Sequence, residues 1–303
     1  MTENPVITVK NVSKNFGATQ ALDDVSFEIP RNSICGLLGA NGAGKTTLMS
    51  AIAGHDRTTQ GQIQVLGERP FDSRTVARAT CFIHDSQRYP DDYKLFHVLR
   101  ISRHFHENWD PAFAEELSDL FSLPRKTQIR KFSRGQLSAL AIVLTLAART
   151  PITIFDEPYL GLDVTSRHRF YDLLIKDYAA HPRTILISTH LVGEMEKIFD
   201  RAIIMNSGKV IFDKDIDELR STATEISGHD TTVTNFIQNQ TVLTSQSLGS
   251  LRKTLIEGTL SETEITLAKE SNLNVAPVSL QDLVAAVEAT HTNAPTALQE
   301  EAA

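Results

Sequence analysis

Along the first 220 positions, short apolar runs rich in Val and Ile alternate with stretches in which apolar residues recur at helical spacing. The short runs predict strands at 6–9, 25–29, 34–38, 62–66, 80–84, 152–155, 184–188, 202–205 and 210–212. The periodic stretches predict helices at 45–53, 94–106, 111–121, 135–148, 165–179 and 191–198. Strands alternating with helices predict an α/β domain on a largely parallel sheet. Residues 86–150 carry helix signals only, so they read as a helical subdomain inserted between two sheet strands. Past Arg220 the texture turns to Thr, Ser, Asn and Gln, and Leu280, Leu283, Val284 and Val287 then mark a last amphipathic helix. The organisation expected is therefore a main domain at 1–220, a small α+β accessory domain at 221–288, and a disordered tail at 289–303 with almost nothing to bury.

Charge sharpens that division. Of the 303 residues, 221–303 hold 3 Lys/Arg against 10 Asp/Glu, so the whole net charge of -7 falls there and the main body is neutral. Such a body lacks the basic footprint of a general nucleic-acid binder, and no DNA or RNA partner is expected. The longest apolar stretch, 139–148, is interrupted by Thr145 and is far shorter than the roughly 20 residues of a spanning helix. With neither a basic nor an apolar leader at the N-terminus, the expected location is the cytosol. Cys35 and Cys81 each lie in an apolar strand run and read as small buried hydrophobes.

Against this background two segments carry chemistry. Gly39-Ala-Asn41-Gly42-Ala-Gly44-Lys45-Thr46 matches the phosphate-binding loop in full and sits between a strand and a helix. Its glycines let successive N–H groups face phosphate, the helix start adds positive potential, Lys45 reaches the β and γ phosphates, and the Thr46 hydroxyl completes a Mg²⁺ shell. Farther on, the apolar strand 152–155 runs into Asp156 and Glu157. Such a strand delivers Asp156 to the metal side of a nucleotide and leaves Glu157 near the γ-phosphate, where a carboxylate polarises water.

Over residues 4–220 the chain resembles the ATP-binding subunit of an ABC transporter, and further motifs stand in the family's order. Phe132-Ser133-Arg134-Gly135-Gln136 is similar to the signature motif that opens a helix, Gly161-Leu162-Asp163 to the D-loop, and Ser188-Thr189-His190 to the switch histidine. Phe16 takes the place of the aromatic that stacks on adenine. The resemblance implies a P-loop NTPase of the ABC type, with a parallel-sheet core, an antiparallel β portion from the N-terminal strands, and the inserted helical subdomain. It also implies ATP and Mg²⁺ as cofactors, with Glu157, His190 and Lys45 catalytic. Nucleotide is then bound by Phe16, Gly39, Asn41, Gly42, Gly44, Lys45, Thr46, Thr47, Gln87, Ser133, Gly135, Gln136 and Asp163, and metal by Thr46, Gln87 and Asp156.

Three features depart from the family pattern. Arg134 replaces a signature glycine, putting a long cation where a second nucleotide's phosphates approach. The following run 137–148 is unusually apolar, which implies deep burial. The glutamine loop is matched by either Asp85 or Gln87, with Gln87 preferred because its amide both coordinates metal and bridges to water. His84, His97, His104, His106, His168 and His181 read as surface or structural, and Trp109 and Phe113 as packing of the helical subdomain.

One nucleotide unit and no spanning run imply a separate subunit that works as an ATP-bound homodimer on a transmembrane permease, peripheral on the inner face of the cell membrane. The C-terminal stretch around Ser279-Leu280-Gln281-Asp282-Leu283 resembles the extension of bacterial exporter ATPases for drug-, peptide- or antibiotic-like substrates. Two rivals stand at this point: a soluble ABC-type ATPase without a membrane partner, and a module that holds ATP without turning it over. The first lacks the expected paired nucleotide units or coiled coils, and Glu157 argues against the second.

Overall fold

A computed structural model of the protein describes residues 5–84 and 87–292. Strands β1 (Ile7–Phe16) and β2 (Thr19–Ile29) form a hairpin. They are followed by β3 (Ile34–Leu38), α1 (Lys45–Ile52) and β4 (Gln60–Val65). β4 turns back onto β1 and completes a three-stranded antiparallel sheet, β2-β1-β4. Sequence periodicity marked only the inner part of β1, residues 6–9; the strand runs on through register shifts to Phe16.

The chain continues through α2 (Arg74–Ala79), β5 (Thr80–His84), α3 (Leu95–Phe105), α4 (Pro111–Leu120) and α5 (Arg134–Ala148). β6 (Ile152–Asp156), α6 (Val164–Ala180), β7 (Thr184–Thr189), α7 (Val192–Met195), β8 (Arg201–Asn206), β9 (Lys209–Asp215) and α8 (Ile216–Arg220) follow. These strands form a second sheet in the order β5-β6-β7-β3-β8-β9, parallel except for β9. Every residue of β3, β6 and β7 is buried, as expected of parallel strands covered on both faces. Cys35 and Cys81 are free and buried within β3 and β5. The helix expected at 191–198 breaks after Met195 into a 3₁₀ turn, Glu196–Ile198.

Between β5 and β6 the three helices α3, α4 and α5 form the insert. Residues 139–148 of α5 are all buried, so the apolar run finds cover around its whole circumference. Arg149 ends this helix in the left-handed region and ties α4 to α6 through Asp110 (2.9 Å) and Asp177 (3.3 Å).

The last third consists of β10 (Ala223–His229), α9 (Asp230–Phe236), β11 (Val242–Leu248), β12 (Leu251–Glu257), α10 (Glu262–Glu270), β13 (Asn274–Pro277) and α11 (Leu280–Thr292). Its strands make an antiparallel sheet, β11-β12-β10-β13, with a small core of Ile226, Val233, Ile256 and Leu273 among others.

Charge and composition set all of 221–303 apart as an attachment, but α11 corrects that picture. Leu280, Leu283, Val284, Ala286 and Val287 are buried in the same core as α5, α7 and β8. The Asn206 side chain at the end of β8 donates to the Val287 carbonyl at 2.8 Å. Residues 289–292, expected to be tail, continue the helix; 293–303 lie outside the described residues. Leu283→Ala is therefore expected to destabilise the main body by about 2–5 kcal/mol, the usual range for emptying a buried leucine site. A chain cut after Arg220 is expected to unfold or aggregate well below the wild-type Tm, since it bares the face that α11 covers. Thermal melts of both proteins check this, and unchanged melting would mean α11 contributes no packing.

Candidate functional site

The phosphate loop joins the C-terminal end of β3 to α1, and its shape is imposed by neighbours. Gly39 has φ +136°, and a Cβ there would stand 2.1 Å from the Met205 carbonyl oxygen. Gly44, at φ +100°, caps α1 and would meet the Ala21 carbonyl at 2.6 Å. Any side chain at either position thus collides with backbone that cannot yield. No side chain caps α1, so its first N–H groups face the loop. Gly42 and Asn41 are exposed at the loop's rim, and Thr47 is half-buried in the first turn.

Lys45 is only 6% exposed, with Nζ donating to the carbonyls of Gly39 (2.6 Å) and Ala40 (2.9 Å). Burial lowers its pKa, an effect opposed by the charges of Glu157, Asp156 and Glu288. Thr46 donates its hydroxyl to Asp156 Oδ2 at 2.6 Å. The other Asp156 oxygen accepts from Ser188 at 2.5 Å. That contact follows from register, because Asp156 on β6 lies opposite Ser188 on β7.

Glu157 takes φ +49°, a left-handed conformation costly for a residue with a side chain, and its N–H donates to Ser188 Oγ at 3.0 Å. His190, just after β7, places Nδ1 3.0 Å from Glu157 Oε2 and 3.2 Å from the Tyr159 hydroxyl. The acid pair, Thr46 and His190 therefore converge at the C-terminal ends of three adjacent parallel strands, where open α/β sheets hold ligands.

Gln87 lines a small cavity with His84, Tyr89, Asp156 and Glu157. Its Oε1 is buried without a hydrogen-bond partner among the described residues. His84, read from sequence as surface or structural, is thus a neighbour of the acid pair. The alternative glutamine-loop residue, Asp85, lies outside the described residues.

Ser133 caps α5 in a reciprocal pair with Gln136: Gln136 N–H donates to Ser133 Oγ at 3.2 Å, and Ser133 N–H to Gln136 Oε1 at 3.0 Å. Gly135 packs so closely on the turn before α6 that a Cβ would stand 2.5 Å from the Gly161 carbonyl. Ser138 hydrogen-bonds Leu160 O in the same turn, and the Arg134 stem lies on Gly161. Asp163 caps α6, accepting from Ser166 N–H at 2.7 Å, and this bond holds its carboxyl below the usual range. Phe16 ends β1 with its ring 51% exposed and the Lys14 ammonium 4.8 Å from the ring centre.

Sequence reading missed two members of the site. The sequence gives Ser188 only as part of the histidine motif and Tyr159 no role; a polar residue at the end of each of two apolar strands is the signal by which Ser188 could be found.

A glycine-rich loop at a helix start beside an acid pair and a histidine is the arrangement of a nucleoside triphosphatase. The chain belongs to the ABC transporter family, whose model matches residues 22–160. The ABC transporter ATP-binding protein YtrB of Bacillus subtilis (strain 168) is 28% identical over 281 residues, 92% of this chain and 96% of YtrB. The probable sulfate/thiosulfate import ATP-binding protein CysA of Chlorella vulgaris is 30% identical over 250 residues, covering 76% of this chain and 98% of CysA. A solved ATP-binding subunit of an ABC transporter superposes with a TM-score of 0.64 at 28% identity, over 71% of this chain and 92% of that one. The protein is an ABC transporter ATPase subunit that binds and hydrolyses ATP. No described helix is long and apolar enough to cross a membrane.

Proposed function

We propose that two copies of this chain sandwich two ATP molecules, hydrolyse them, and drive a separate membrane-spanning permease from the inner face of the cell membrane. The observation that carries the catalytic part is the convergence of two hydrogen-bonded pairs, Thr46 with Asp156 and Glu157 with His190, joined through the Ser188 hydroxyl. Lys45 neutralises the β and γ phosphates. Glu157 takes a proton from water as the water oxygen bonds to the γ-phosphorus, and the bond to the bridging oxygen breaks to release ADP. His190 faces the γ-phosphate beside Glu157. Ser133, at the start of α5, addresses the nucleotide of the opposite copy by the same chemistry of an anion at a helix start.

The Thr46 hydroxyl, the Asp156 carboxylate and the unpartnered Gln87 Oε1 together fit a Mg²⁺ ion held against the phosphates. Bound there, the ion supplies charge neutralisation for the phosphoryl group in transit. Gln87→Ala is expected to raise the Mg²⁺ concentration for half-maximal phosphate release about tenfold. An unchanged Mg²⁺ titration would remove Gln87 from the metal shell.

The reading extends to export of a drug-, peptide- or antibiotic-like substrate, supported by the resemblance of the stretch at Ser279–Leu283 to exporter extensions. The likeness to a protein named for import leaves that direction to experiment. ATP-dependent accumulation inside inverted vesicles carrying the chain and its permease supports export, and accumulation only in right-side-out vesicles refutes it.

A further inference from the structure

Tyr159 follows the acid pair by two residues, is 2% exposed, and touches the switch histidine three times. The His190 backbone N–H donates to Tyr159 Oη at 2.9 Å, and the ring packs edge-on against the imidazole. The Thr189 hydroxyl, itself accepting from Leu191 N–H, also donates to Tyr159 Oη at 2.9 Å. Both acceptor positions of the phenol oxygen are then filled, and its own proton is left to donate to His190 Nδ1, 3.2 Å away. The same Nδ1 lies 3.0 Å from Glu157 Oε2, a contact that needs a proton on Nδ1 instead. A neutral imidazole satisfies only one of the two partners at a time.

We infer that Tyr159 is a positioning residue that holds His190 with its ring proton on Nε2 and, by occupying Nδ1, releases Glu157 to act on water. The inference rests on the proposed reading of His190 as the group facing the γ-phosphate. In this tautomer Nε2–H is the donor turned toward phosphate, and the Glu157 carboxylate keeps both oxygens for the attacking water. Burial pushes the Tyr159 hydroxyl up to about 12, so it stays protonated and able to donate across the neutral range. Phenylalanine at this position keeps the packing but loses the donor to Nδ1 and the acceptor for Thr189 and the His190 N–H.

The test has two arms on the full-length chain. Nitrogen-15 NMR of labelled histidine, without nucleotide, is expected to find His190 as the Nε2–H tautomer in wild type and shifted toward Nδ1–H in Tyr159→Phe. A wild-type Nδ1–H tautomer, or an identical tautomer in both proteins, overturns the inference. In the second arm, phosphate release by Tyr159→Phe is expected to show kcat down about tenfold with KM within about twofold, the effect of losing the bond to Nδ1 together with the two that Thr189 and the His190 N–H donate to the phenol oxygen. Adding Tyr159→Phe to His190→Ala is expected to cost nothing further, because Tyr159 acts through the imidazole. Independent, multiplying losses overturn the inference. Wild-type turnover in His190→Ala would instead overturn the reading of the site, whatever the NMR arm shows.

Discussion

Replacing Glu157 with glutamine is expected to slow ATP hydrolysis at least about a hundredfold while Mg-ATP binding survives, the range that a lost general base commands. Glutamine has the same shape, so the contact to His190 Nδ1 (3.0 Å) and the backbone bond to Ser188 (3.0 Å) both have a partner in the variant. What disappears is the group that accepts a proton from water. Bound ATP then persists, and the sandwiched dimer with it, so light scattering should report a dimer at saturating Mg-ATP and a monomer without nucleotide. Turnover within a few-fold of wild type would reassign the base; a variant that stays monomeric with ATP bound would dismiss the sandwich.

Lys45→Ala should be equally damaging but by a different route. The ammonium is buried beside the phosphate loop and lies within the electrostatic reach of Asp156 and Glu157. Removing it leaves the β and γ phosphates without a fixed cation in a poorly solvated site, where such a group contributes about a hundredfold or more to turnover. Unlike Glu157→Gln, this change should also weaken ATP binding, because Lys45 meets the phosphates before as well as during reaction. Isothermal titration with a non-hydrolysable ATP analogue, alongside phosphate release, separates the two variants. Normal affinity and turnover would show that Lys45 does not contact the phosphates.

What the sequence disclosed follows from how local each signal is. The phosphate loop occupies eight consecutive residues, and the largely apolar runs of β3, β6 and β7 announce buried parallel strands without reference to anything distant. Helix α2 escaped because six residues give too few turns for periodicity to register. Tyr159 escaped because its role depends on β6 and β7 being neighbours; its partners, Thr189 and His190, are some thirty positions away. The place of α11 was misjudged for a related reason. Its apolar face was visible in Leu280, Leu283, Val284 and Val287, but nothing local says that this face packs on the main body as well as on the sheet formed by β10–β13. Asn206 and Val287, hydrogen-bonded in the fold, are 81 residues apart. Net charge suggested separation there, whereas apolar burial decided the packing.

ATP turnover at the site of Lys45, Asp156 and Glu157 is proposed to energise a membrane-spanning partner. The most direct measurement is the rate of phosphate release from Mg-ATP by the wild-type chain isolated from host membranes in complex with its permease, beside the same rate for Glu157→Gln in the same complex. The expected result is saturable release by the wild type that falls to background in the variant. Equal rates in the two complexes would contradict it.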